Sequence, residues 1–241
     1  MVSFKKHNPD WTLNLWMPKV SEKAEAPWIT TEQKDVYTGK DFLSKAKKLC
    51  NVQLIDFKEL GLTKAIHEVQ KADIVRWYLL FTYGGVWSDV DILYIKPIDS
   101  VLKEEFGFAF VYHENPYIGF YIAKPAQSIF ETLFNDCVSA VRRNMNDGYQ
   151  SLGADRWRQF GSPENILRQY PEGLNLPMEV VYPYTASEVD DMLFGSSRNV
   201  TSDTIGLHWY NGSPKAKQYQ NKFDKYINND SVVSQYAWEY V

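Results

Sequence analysis

The sequence predicts an α/β fold in one domain, and three observations carry that reading. Short apolar runs bounded by polar or turn residues recur at 51–57, 108–112 and 118–123. Helical patterns lie among them, at 61–85 and 126–145. The chain has 241 residues, enough to bury roughly 70–75% of the surface an unfolded chain exposes. Strands alternating with helices imply a largely parallel central sheet.

Each element has a local reason. Residues 3–11 read as the end of a helix and a turn punctuated by Asn8-Pro9. Residues 12–17 alternate and stop at Pro18, as a strand does. Residues 27–50 are polar, Lys-rich helical material, and NVQLIDF at 51–57 is a short strand. The pattern at 61–85 is amphipathic at first and apolar almost all round later, which marks a helix running into the core and ending at Gly84-Gly85. Val86 to Ile98 reads as strand, turn, strand. Phe108–Tyr112 and Ile118–Ala123 are further strands, and 126–145 is a clean amphipathic helix. The C-terminal half is less regular. It offers a strand at Met178–Tyr182 and an apolar-aromatic segment at Ile205–Tyr210, and covers one end of the sheet.

Composition narrows the function. Apolar residues at 44% and charged residues at 23% describe an ordinary soluble domain. A net charge of −4 argues against general nucleic-acid binding, which needs a basic face. Cys50 and Cys137 are too few for a disulfide framework and fit a reducing compartment. No apolar run approaches the ~20 residues of a membrane span, and the N-terminus has no signal-peptide pattern. The expectation is a cytoplasmic location. Aromatic residues reach 15%, which suits either an aromatic core or a surface for sugar rings.

The chemistry concentrates between Asp73 and Asp91. Within an apolar run the sequence places Arg76, one helical turn after Asp73 and so on the same helix face. A buried guanidinium without an anion would cost several kcal/mol, so Arg76 needs Asp73 or a bound anion. Asp89 and Asp91 stand two apart in extended chain and project to one side. Two carboxylates that close repel unless a cation lies between them. Oxygen ligands select Mg²⁺ or Mn²⁺, which bind one or two carboxylates together with substrate phosphates. Gly84 and Gly85 permit a sharp turn and a close backbone approach.

The stretch ADIVRWYLLFTYGGVWSDVDILYIKPI resembles the signature of the sugar-binding-region DXD glycosyltransferases, which include initiation-type mannosyltransferases, capsular-polysaccharide transferases and, more distantly, the glucosylating clostridial toxins. HNPDWTLNLWMPK resembles that family's second-strand region. The resemblance implies a GT-A type nucleotide-binding sandwich with a mostly parallel sheet and a divalent cation, Mn²⁺ or Mg²⁺. It implies that Asp73 and Arg76 contact the donor sugar, with Gly85 beside them, and that Trp87 packs on the nucleotide or sugar. Asp89 touches ribose, sugar or metal, and Asp91 binds the metal. Ala72 stands where the family often has Ser. The segment Gly206-Leu-His208-Trp209-Tyr-Asn211-Gly212-Ser213 resembles the closing motif, so His208 becomes a third metal ligand, with Asn211 and Ser213 as alternatives, and Trp209 closes over the donor. Tyr149, Gln150 and Asp155 are candidates to orient an acceptor. Family members usually begin with a strand upstream of SFKKHNPDW, and here the expectation is either that this first strand is missing or that the domain is a minimal variant.

The implied partners are a nucleotide-sugar, UDP- or GDP-linked, and a glycan or other hydroxyl acceptor, with transfer retaining configuration. Residues 1–125 would bind the donor, and 126–241 would form the acceptor side and closing part. A non-catalytic nucleotide-sugar-binding domain is the second reading. A dehalogenase-type phosphohydrolase also uses Asp-X-Asp, but on its first strand and followed by Thr, whereas Ile92 follows here.

Overall fold

The computed structural model describes residues 1–20, 41–102, 105–195, 199–217 and 231–237. Helix α1 (Val2–His7) leads to strand β1 (Asn14–Pro18), then α2 (Leu43–Ala46), β2 (Asn51–Ile55) and the long helix α3 (Glu68–Thr82). Two short strands follow, β3 (Gly85–Ser88) and β4 (Ile92–Tyr94), then the pair β5 (Phe108–Tyr112) and β6 (Pro116–Ala123). Helix α4 (Ser128–Arg142), the short α5 (Ala154–Arg158) and α6 (Pro163–Gln169) precede β7 (Gly173–Leu176). The chain continues through α7 (Val189–Phe194), β8 (Gly206–His208), α8 (Pro214–Lys217) and α9 (Val232–Ala237). Residues 27–40 of the expected helical stretch lie outside the described residues.

The largest sheet has the order β3-β6-β5-β7. It is mixed rather than mostly parallel: β3–β6 and β6–β5 are antiparallel, and only β5–β7 is parallel. The three-residue link 113–115 between β5 and β6 is the reason, because a parallel neighbour would need a long crossover. β1 and β2 form a separate parallel pair, and β4 pairs antiparallel with β8. The expected strand at Met178–Tyr182 is also corrected. Residues Met178–Val180 form a 3₁₀ turn, because the Val180 N–H bonds back to the Pro177 carbonyl at 3.1 Å and the Val181 N–H to the Met178 carbonyl at 3.3 Å. The segment still runs beside β8, where the Val180 and Val181 carbonyls accept from Ile205 and His208.

Both faces of the four-stranded sheet are covered. On one face α3 and α4 close an aromatic core in which Trp77, Phe130, Tyr121 and Trp157 pack ring on ring. On the other face Ile92, Tyr94, Phe120, Ile122 and Val180 pack together with Phe4. The aromatic content thus serves two ends: Trp77 and Trp157 are fully buried, while Trp11, Trp16 and Trp87 line a cleft. No helix among the described residues is long and apolar enough to cross a membrane.

Candidate active site

Helix α3 enters the core with Asp73, Ile74, Val75, Arg76 and Trp77 buried in succession. Asp73 and Arg76 keep only 2% and 3% of their surface exposed. Their i, i+3 spacing brings Arg76 Nη1 to 2.5 Å from Asp73 Oδ1, which is the compensation a buried charge requires. Burial pushes the Asp73 carboxyl up to about 6, against the pull of Arg76. Arg76 stays charged between Asp73 and Asp89. Its guanidinium also lies over the Trp87 ring at 4.9 Å from the centroid, a cation–π contact. Gly153 presses on the same carboxylate: a Cβ there would meet both Asp73 oxygens at 2.9 Å.

The turn out of α3 is made by two left-handed glycines, Gly84 at φ +65° and Gly85 at φ +87°. A side chain at Gly84 would collide with the Ala123 carbonyl at 2.6 Å, whereas Gly85 is open. The turn sends β3 back along β6, with Trp87 opposite Tyr121. The Trp87 indole N–H donates to Asp89 Oδ1 at 2.8 Å, and Arg76 Nη2 lies 3.5 Å from that same oxygen.

Beyond Ser88 the ladder is continued by a single bond, from the Asp89 N–H to the Gly119 carbonyl at 2.8 Å. Gly119 sits where the register between β5 and β6 slips. Ile118 and Tyr121 face the aromatic core, while Tyr117 and Phe120 face the other side, so the irregularity falls between them. A glycine in such a bulge lets other groups approach the backbone. A Cβ at Gly119 would meet Asp89 Oδ2 at 2.9 Å, the Tyr182 hydroxyl at 3.0 Å and His208 Nε2 at 3.1 Å.

The β4–β8 pair supplies the rest. Ile92 stands opposite His208, which brings His208 Nε2 to 3.4 Å from Asp91 Oδ1. Asp91 is further fixed by the Asn211 N–H on Oδ2 at 2.9 Å and by the Trp209 N–H on its carbonyl at 2.8 Å. One ligand atom each from Asp89, Asp91 and His208 lie within 4.8 Å of one another. The two carboxylates fit a hard divalent cation. His208 Nδ1 accepts the Tyr210 N–H at 3.2 Å, which leaves the neutral ring's proton on Nε2, facing Asp91. Ligation through Nε2 therefore requires that proton to move and the Tyr210 contact to open.

These groups open into a cleft of about 1800 Å³. The cleft brings together Asp73, Arg76, Gly85, Trp87, Asp89, Asp91, His208, Ser213, Tyr149 and Gln150. Two expected residues sit elsewhere. Asp155 pairs with Arg158, half exposed, and does not line the cleft. The Trp209 ring packs against an apolar cluster that includes Leu207 and Tyr184, so its contribution at Asp91 is its backbone N–H. Ser213 lines the cleft, and its hydroxyl accepts the Ala216 N–H at 3.1 Å, which holds the start of α8. Gly119 and Tyr182 also line the cleft, and sequence reasoning missed both. A lone glycine inside an apolar strand was the available signal for the first.

Comparison with known proteins meets this geometry at its centre. Residues 1–107 match the glycosyltransferase sugar-binding region containing a DXD motif. That span contains β1 through β4, hence Asp73, Arg76, Asp89 and Asp91. Over 32 residues the chain is 53% identical to the initiation-specific alpha-1,6-mannosyltransferase of Saccharomyces cerevisiae. The aligned stretch covers 13% of this chain and 7% of that relative.

Proposed function

We propose that this chain is a metal-dependent glycosyltransferase that moves a sugar from a UDP- or GDP-linked donor to a glycan or other hydroxyl acceptor, with retention of configuration. The observation that carries the proposal is the convergence of Asp89, Asp91 and His208 in a cleft that the buried Asp73–Arg76 pair also lines. The DXD family match over residues 1–107 supports it, as does the short identity to a mannosyltransferase.

In this reading, Asp89 and Asp91 hold Mn²⁺ or Mg²⁺ with His208. A cation there neutralises the charge that grows on the departing diphosphate. Arg76, fixed between two carboxylates, presents a positive, desolvated surface to the donor. Trp87 offers its ring, and Asp73 and the backbone at Gly85 bound the sugar. Tyr149 and Gln150, which also line the cleft, orient the acceptor hydroxyl. Transfer breaks the bond from the anomeric carbon to the diphosphate oxygen and forms one to the acceptor oxygen, whose proton is released. Residues 1–125 serve the donor in a GT-A type sandwich, and 126–241 serve the acceptor side and closure.

The test is a panel of UDP- and GDP-sugars in thermal-shift assays with and without Mn²⁺, followed by turnover of any ligand that stabilises the fold. A nucleotide-sugar that raises the melting temperature only with Mn²⁺, and is then consumed, supports the proposal. Binding without turnover of any donor points instead to a non-catalytic nucleotide-sugar-binding domain. No stabilisation by any member would overturn both.

A further inference from the structure

Tyr182 is buried, with 1% of its surface exposed, and its hydroxyl has no hydrogen-bond partner among the described residues. Such a group is costly when nothing satisfies it, so its persistence asks for an explanation. Its surroundings supply one. The Tyr182 hydroxyl, Asp89 Oδ2 and His208 Nε2 all converge on the space that a Cβ at Gly119 would fill, at 3.0, 2.9 and 3.1 Å. The other Asp89 oxygen is engaged by Trp87 and Arg76, so Oδ2 is the one turned toward this space. The tyrosine ring is held in place by Tyr117, with centroids 4.6 Å apart, and by His208 at 5.1 Å. A phenol at neutral pH carries its proton and donates it.

We propose that Tyr182 is a positioning residue of the cation site, donating its hydroxyl hydrogen bond to an oxygen bound to the cation that Asp89 and Asp91 hold. This rests on the metal-dependent reading above. That oxygen belongs either to a metal-bound water or to a donor diphosphate, and both are the same kind of acceptor to a phenol. Partners placed behind the ligands in this way orient a metal site and typically change its affinity by 10–100-fold when removed.

The experiment uses Tyr182→Phe, with Asp91→Asn as the control for the underlying reading. Mn²⁺ binding is measured by the loss of the free-ion electron paramagnetic resonance signal, alone and with UDP or GDP present. Tyr182→Phe should weaken Mn²⁺ binding roughly tenfold. A loss with Mn²⁺ alone identifies the acceptor as metal-bound water, and a loss only with a nucleoside diphosphate identifies a phosphate oxygen. The metal-free variant should melt no lower than the wild type, because Phe removes an unsatisfied buried hydroxyl. A merely structural hydroxyl would instead lower the melting temperature and leave Mn²⁺ binding unchanged. The proposal is overturned if Tyr182→Phe binds Mn²⁺ like wild type in every arm while Asp91→Asn does not bind. If Asp91→Asn also binds like wild type, the metal assignment itself fails.

Discussion

Arg76 reaches across from helix α3 to Asp89, its Nη2 lying 3.5 Å from Asp89 Oδ1, while its Nη1 holds Asp73 at 2.5 Å. One planar guanidinium therefore joins the helix to the Asp-X-Asp segment and sets where Asp89 stands. A lysine would keep the charge but could not span two carboxylates as a fork does. Arg76→Lys should weaken binding of a nucleotide-sugar about tenfold more than binding of the free nucleotide, measured by calorimetry with Mn²⁺. Equal losses for both ligands would make Arg76 a structural partner of Asp73 alone.

Gly119 tests whether the space beside Asp89 matters. A methyl group there meets Asp89 Oδ2, the Tyr182 hydroxyl and His208 Nε2, all at about 3 Å. At least two of these must move. Gly119→Ala should remain folded, since φ at this position is not in the left-handed region, yet lose at least tenfold in Mn²⁺ affinity. Unchanged affinity in the spin-resonance titration would mean that the cation does not depend on this approach.

The two glycines of the α3–β3 turn should separate sharply. Gly85 is left-handed with open space around it, so Gly85→Ala pays only the conformational penalty of about 1–2 kcal/mol. Gly84 carries that penalty and adds a collision of 2.6 Å with the Ala123 carbonyl. Gly84→Ala should cost at least twice as much in urea unfolding. Equal costs would place the turn's constraint in its dihedral angles alone.

Much of the site was legible because charge is conspicuous in an apolar run. Asp73, Arg76, Asp89 and Asp91 could be read from spacing, and β5 begins and ends at the residues expected, Phe108 and Tyr112. The helix expected from residue 61 starts at Glu68 instead. Leu62 and Ile66 are buried from a loop, and His67 caps the helix by accepting the Val69 N–H, so burial there imitated a helical pattern. The mixed sheet and the slip at Gly119 were not legible, because they follow from which strands meet. Tyr182 was hidden for the same reason. Its meaning arises only when residues 89, 119, 182 and 208 come together, and no local pattern encodes that.

Asp73 should leave a signature in the pH dependence of stability. Burial raises its carboxyl from 3.8 to about 6 in the folded chain. Between about pH 4 and pH 6 the folded state therefore keeps a proton that the unfolded state has lost. Where the folded state binds more protons, stability falls as pH rises. The contribution is complete below the unfolded value and is gone once pH passes about 6. A shift of about 2 units corresponds to about 3 kcal/mol. Urea unfolding of wild type and Asp73→Asn, both with chelator, gives a difference curve in which the other carboxylates cancel. Across this window the wild type should lose up to about 3 kcal/mol relative to the variant, and the difference should be level above pH 7. A flat difference curve would mean that Asp73 keeps its ordinary carboxylate value, with Arg76 just offsetting burial. A curve of the opposite slope would mean that the ion pair holds Asp73 below its ordinary value.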